Sequence, residues 1–294
     1  YLIVLTFFII SCNNSSKKST NSASMEQLTV LSNNSEWVSL IQDNTMEGWH
    51  YFNENGNKFG WTVSQGVLAY DPSLTKFQMD SLGNIIMHEN GNPKIENNDL
   101  VSDLDYSSFK IYFEWKVDPL TNSGFMWGVK EGKQYEFSFV TGPEIQIMDN
   151  NYDDPVKAGS LYGMIPPSVD MTKPVGEWNS YEITIDHNAN FGNVIFNGTE
   201  VVKFPLSGEV WDAMVEPTKF NNCDEEPWQN CDFGKFKTGK IVFQDHQSPV
   251  FFRNIKILGF IAIWSILDII DIIYIIDIID IIDIIEKMTA VRYA

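Results

Sequence analysis

Arginine is almost missing from this chain: Arg253 and Arg292 are the only two in 294 residues. Twenty basic side chains face 39 acidic ones, for a net charge of −19. With no basic stripe to release counterions from phosphates, nucleic acid is excluded as a partner. Histidine is scarce as well, with four residues, and cysteine scarcer, with three. No histidine lies near the Cys223/Cys231 pair, so a structural metal site there has no ligands to complete it. Helical periodicity of useful length is also lacking between residues 36 and 258, which argues against an α/β or helical domain. What the chain does have is ample apolar content, 44% of residues, enough for a sizeable core.

The two ends read differently from the middle. Residues 1–12 form an apolar run, Leu2 to Ile10, leading into Ser11-Cys12. The run is too short to span a bilayer and has the look of a signal peptide without its basic start. Ile9-Ile10-Ser11-Cys12 resembles a bacterial lipobox, which predicts lipidation of Cys12 and a membrane attachment through that anchor. The expected location is the bacterial envelope, outer membrane or periplasm. Residues 13–35 are rich in Asn, Ser and Lys, the composition of a flexible tether. Beyond Leu258 the chain approaches a repeat of Asp-Ile-Ile. A period of three builds neither a strand face nor a helix face. As a membrane span, it would place each aspartate in hydrocarbon at about 2.5–3.5 kcal/mol. Residues 259–294 are therefore expected to lie outside the native fold.

Residues 36–258 read as strands. Phe109, Ile111, Phe113, Trp115 and Val117 alternate with polar or amphipathic neighbours at a period of two. Tyr181 to Ile185 alternates likewise. Asn197-Gly198 marks a hairpin between Val194–Phe196 and Glu200–Val202, and a second hairpin is expected around Ser64-Gln65. Lys240–Gln244 and Val250–Leu258 are expected to pair across Ser248-Pro249. Many short strands with close turns predict an all-β sandwich or jelly roll. Cys223 and Cys231 are close enough in sequence for a loop-stapling disulfide, which an oxidising compartment would favour.

Two strands carry candidate chemistry. In Glu144-Ile145-Gln146-Ile147-Met148-Asp149, Glu144 and Gln146 share one face, roughly 7 Å apart at about 3.3 Å per residue. In Ile241-Val242-Phe243-Gln244-Asp245-His246, Ile241 and Phe243 point to the core, with Gln244 and His246 opposite. Either strand alone reads as ordinary solvated positions; together they predict a polar platform. Asp149, Asp153 and Asp154 put several hard oxygens into one loop, the ligand type calcium takes. The spacing is not that of an EF-hand, a solvated acidic turn is the default, and no cofactor is firmly implied.

Nine short segments, in order, resemble the 3-keto-disaccharide hydrolase family of exported bacterial proteins. They are Trp37–Leu40 with Glu47-Gly48-Trp49; Gly60–Val63 with Gly66–Leu68; Asn122-Ser123-Gly124-Phe125; and Glu144–Asp149. Gly159–Gly163, Gly176–Asn179, Asn197-Gly198, Phe233–Ile241 with Gln244-Asp245-His246, and Phe252–Ile255 follow. Trp127 departs from the charged residue the family often places there. The resemblance implies a concanavalin-like jelly-roll sandwich of two antiparallel sheets, a carbohydrate substrate and cleavage of glycosides oxidised to a ketone at C3. Such a ketone acidifies the C2 proton and makes the C1 aglycone a leaving group. That chemistry needs a base, an acid and a holder for the enolate oxygen. His246 is the candidate base and Glu144 the candidate acid, with the two roles interchangeable. Gln146, Gln244, Tyr162, Arg253, Asn122 and Asp149 are candidates for binding the sugar. Trp127 could stack on a pyranose, and reads more simply as core; Arg253 shares parity with Ile255 and Ile257, so a structural place at a strand end is as good a reading. A lectin-like module without chemistry and a purely structural domain are the competing readings. A retaining glucanase fits poorly, because it needs two carboxylates where Glu144 and Gln146 supply a carboxylate and an amide.

Overall fold

The computed structural model describes residues 36–42, 44–53, 60–74, 77–87, 91, 98–151, 156–225, 227–228 and 230–259. Cys12, the tether, the Asp-Ile-Ile tail, Asp153 and Asp154 lie outside the described residues. Thirteen strands are formed among the described residues. They are β1 (Val38–Ser39), β2 (Trp49–Tyr51), β3 (Trp61–Ser64), β4 (Val67–Tyr70), β5 (Leu100–Ser102), β6 (Phe109–Val117) and β7 (Asn122–Val129). Then come β8 (Glu144–Met148), β9 (Asn179–Asp186), β10 (Phe191–Phe196), β11 (Thr199–Phe204), β12 (Lys240–Phe243) and β13 (Val250–Gly259). They build an eight-stranded sheet, β11-β10-β9-β6-β13-β4-β3 with β1 beside β13, and a five-stranded sheet, β2-β5-β12-β7-β8. Every pairing is antiparallel. The chain is thus an all-β, concanavalin-like jelly-roll sandwich.

The alternation of β6 explains why the sheets meet. Its odd residues from Phe109 to Val117 are buried and its even residues half-buried. Phe113 reaches across the interior to an edge-on contact with Phe243 and a tilted one with Phe125, and meets Phe252 and Tyr181 of its own sheet edge-on. Such tilted and edge-on pairs are the favoured aromatic arrangements. The β10–β11 hairpin turns at Asn197-Gly198, both at positive φ, as its tight turn requires.

Three expectations are corrected. β12 and β13 are not a hairpin: β12 pairs with β5 and β7, whereas β13 pairs with β4, β6 and β1 in the other sheet. The Ser248-Pro249 stretch therefore carries the chain from one sheet to the other. A seven-residue helix, α1 (Glu209–Val215), occurs where none was expected; its one buried residue is Trp211. Finally, Arg253 does not share the direction of Ile255 and Ile257. Asn254 takes φ 53°, the register against β6 shifts there, and the buried positions change from Val250 and Phe252 to Ile255 and Ile257. A bulge of this kind re-aims every side chain beyond it.

Candidate functional site

The outer face of the five-stranded sheet is not left to solvent. All five residues of β8 are buried, Glu144 and Gln146 included. The cover is a layer of loops between β7 and β8 and between β11 and β12. It encloses a cavity of about 110 Å³ lined by Glu144, Gln146, Tyr162, Lys219, Gln244 and His246, with Asn122 and an aromatic wall completing it.

Strand register sets the polar floor. Gln146 lies opposite Gly124, and Glu144 opposite Met126, across the β7–β8 ladder. Gly124 is required there: a Cβ on it would come within 2.1 Å of the Glu144 Oε1. The Gln146 amide donates to the Asn122 Oδ1 and, at 3.1 Å, to the Ser123 carbonyl, which fixes its orientation. On the outer edge of β8, the Tyr162 N–H donates to the Glu144 carbonyl at 2.9 Å, and both residues line the cavity. Gln244 continues β12 through an N–H bond to the Gly124 carbonyl at 2.9 Å, and the exposed His246 follows at the rim.

The wall is aromatic and stapled. Phe220 stacks on Phe233 at 3.9 Å and 3°, and meets Trp228 edge-on at 5.2 Å. Trp228 in turn touches Phe139, on the turn Ser138–Val140. Cys223 and Cys231 are bonded within this loop, their Cα atoms 5.1 Å apart. Gly163, at φ 72°, passes the edge of Phe220, where a Cβ would sit 3.1 Å from the ring.

Burial and the nearby Asp99 carboxylate push Glu144 up to about 8; the Lys219 charge opposes them. The carboxyl is therefore protonated at neutral pH and able to donate. Asp99 belongs in turn to a buried acid pair with Asp245. Asp245 accepts from the Tyr70 hydroxyl and the Asn98 N–H, each at 3.1 Å, while its own N–H donates to Asp99 at 3.1 Å. Ser138 donates to the other Asp99 oxygen. Burial and the Asp99 charge push Asp245 up, so this pair also holds a proton near neutrality. It ties the Gln244–His246 segment to β5 and to the Phe139 turn.

Six expected residues thus meet in one cavity: Asn122, Glu144, Gln146, Tyr162, Gln244 and His246. Three do not. Trp127 shares the inward direction of Phe125 and stacks on Phe204 of the opposite sheet, 5.7 Å and 26° away. Asp149 accepts from the Leu120 N–H with one oxygen and from the Asn151 backbone and side chain with the other, closing a turn. Among the described residues no cluster of His, Cys, Asp and Glu has the makings of a metal site. Arg253 sits on the far sheet, bonded to Glu114 at 2.5 Å and lying 4.1 Å over Trp178. Sequence reasoning missed Lys219, Phe139, Phe220, Phe233 and the Asp99/Asp245 pair. The signal for the pair was visible: Asp245 falls at a core position, where an ionisable group needs a partner.

The family profile described as a 3-keto-alpha-glucoside-1,2-lyase-like domain matches residues 36–258. A relative is the 3-keto-disaccharide hydrolase of Bacteroides thetaiotaomicron, 26% identical over 268 residues, covering 82% of this chain and 84% of that protein. Among solved structures, one from Parabacteroides distasonis, provisionally assigned as a glycosyl hydrolase, is 27% identical with a TM-score of 0.61. The match covers 80% of this chain and 97% of that one. A second from the same organism, at 21% identity and a TM-score of 0.51, covers 76% and 100% and shares the fold. The chain belongs to the 3-keto-alpha-glucoside-1,2-lyase-like family.

Proposed function

We propose that this member of the family cleaves glycosides carrying a ketone at C3, by removing the C2 proton and expelling the C1 aglycone. One observation carries the reading: a carboxyl kept protonated by burial shares a small cavity with an imidazole at its mouth. His246 takes the C2 proton. Glu144 gives its proton to the departing glycosidic oxygen. The ketone returns, the C1–O bond breaks, and a C1=C2 double bond is left in the sugar. Addition of water then places hydroxyl on C1 and a proton on C2, and Glu144 and His246 return to their starting forms. The net change is hydrolysis. Asn122, Gln146 and Gln244 supply amides at the floor for sugar hydroxyls. Export and a lipid anchor at Cys12 belong to the same proposal, since they would place the enzyme where glycans are met.

The test is incubation with a 3-keto-disaccharide and with its unoxidised parent in D₂O, followed by NMR. Cleavage of the keto sugar alone, with deuterium at C2 of the product, is expected. His246→Ala should lower turnover about 10²–10⁴-fold and change KM little. Equal cleavage of the parent sugar, or products free of deuterium, contradicts the reading. Binding without turnover would make the face a lectin-like module.

A further inference from the structure

Lys219 is the single ammonium among the described residues lining the cavity. It makes no ion pair among the described residues, although the chain is strongly acidic. Its Nζ donates to the Tyr162 hydroxyl at 3.3 Å and lies 4.8 Å from the centre of that ring and 5.6 Å from that of Phe220. The backbone beneath it is fixed as well. The turn Lys219–Asn221 is capped by the Thr218 side chain, which accepts from the Phe220 N–H at 3.2 Å. Phe220 is locked against Phe233, and the Cys223–Cys231 bond closes the loop. Lys219 itself is exposed, so its ammonium reaches the cavity from the rim on a backbone that is held in place.

We infer that Lys219, with the Tyr162 hydroxyl to which it donates, binds the oxyanion that develops on the C3 oxygen as the C2 proton leaves. The inference rests on the proton-abstraction reading above. When His246 takes the proton, the C2–H electron pair forms a C2=C3 bond and the carbonyl π pair moves onto oxygen. That charge is absent from the bound ketone, so a fixed ammonium favours the transition state over the ground state. Tyr162 accepts from Lys219 and keeps its own proton for the same oxygen, making a two-point site. The charge then returns to re-form the ketone as the C1–O bond breaks. Nothing is consumed.

The experiment uses the full chain and a 4-nitrophenyl 3-keto-glucoside, whose good leaving group takes acid assistance out of the rate. Nitrophenol release and C2 hydrogen–deuterium exchange are followed for wild type, Lys219→Gln, Lys219→Arg and Tyr162→Phe, with a thermal melt for each. Lys219→Gln is expected to lower kcat about 10²–10³-fold, the range for an oxyanion donor, with KM little changed and exchange slowed by the same factor. Lys219→Arg should recover part of the loss. With a natural aglycone, the high-pH limb of the rate profile should move upward in Lys219→Gln, because the Lys219 charge favours the ionised form of Glu144. A merely structural lysine would move neither the exchange rate selectively nor that limb. Exchange at the wild-type rate in Lys219→Gln, or a loss confined to KM, overturns the assignment. Should that variant melt early, wild-type exchange in a well-folded Tyr162→Phe overturns the two-point site. A wild-type protein that exchanges no C2 hydrogen removes the proton-abstraction reading itself and this site with it.

Discussion

Two glutamates, one on each outer face of the sandwich, end in opposite states. Glu114 lies on the eight-stranded sheet. Burial works against its ionisation, but Arg253, Asn254 and Tyr112 all bond its carboxylate and hold it below the usual range. That face is an ordinary solvent face laced by Lys110–Glu182 and Arg253–Glu114 pairs and by Lys116, which lies over both Trp178 and Phe251. Glu144 lies on the five-stranded sheet beneath a cover of loops. Burial and the Asp99 carboxylate outweigh the Lys219 charge, and Glu144 is raised to about 8. Alternation makes both faces polar; only the cover and the choice of partner separate scaffold from site. An unneutralised buried acid is costly to fold around, and such groups concentrate where chemistry requires them.

The largest expected effect comes from removing the acid. Glu144→Gln keeps the shape, and turnover of a 3-keto-glycoside with an alcohol leaving group should fall about 10²–10⁴-fold. The loss should be much smaller with nitrophenol as leaving group. Stability should move the other way. The folded carboxyl holds its proton more tightly than the unfolded one, so between the model-peptide range and about 8 the native state binds the extra proton. Stability contributed by that proton falls as pH rises through this window. Glu144→Gln should therefore melt higher than wild type at pH 9, with the difference shrinking toward pH 4. A constant difference in melting temperature across that range would erase the contrast between the two glutamates.

Gly124→Ala should come next. The new methyl would meet the Glu144 carboxyl at 2.1 Å, so carboxyl or backbone must shift. A stability loss of about 1–3 kcal/mol is expected from such overpacking. Activity should fall further than stability explains, and crystallography should find the Glu144 side chain displaced. Smaller again is the effect of loosening the wall. Replacing Cys223 and Cys231 together by Ser should raise KM and lower the melting temperature while leaving the sheets formed by circular dichroism, since the bond closes a loop beside the cavity. The smallest effect belongs to the other face. Arg253→Met should leave turnover within about twofold and change stability by about 0–1 kcal/mol, as for exposed ion pairs. A large loss of kcat in that variant would mean that the eight-stranded sheet takes part in the chemistry.

The contrast also marks what the sequence made legible. Strand parity alone separated Glu144 and Gln146 from Ile145 and Ile147, and placed Gln244 and His246 opposite Phe243, because a period of two leaves little choice. It failed wherever the chain breaks that period. Asn254 inserts a bulge, so Arg253 was set on the wrong side of its strand. The Ser248-Pro249 stretch reads as a hairpin, though it bridges the two sheets. The covering loop of Lys219, Phe220 and Phe233 has no period at all, and one lysine among many carries no mark of its surroundings. Gly124 was noticed as part of a motif; its cause, the room needed by the carboxyl across the ladder, is visible only in three dimensions.

The central claim is that the carboxyl on the covered face is neutral at working pH while its counterpart on the open face is charged. Isotope-edited infrared difference spectra of wild type against Glu144→Gln and against Glu114→Gln, recorded from pH 5 to pH 9, test it directly. A protonated carboxyl band that is lost in Glu144→Gln and titrates near 8 is the expected result, with no such band assigned to Glu114. A Glu144 band already ionised at pH 6 would contradict the account.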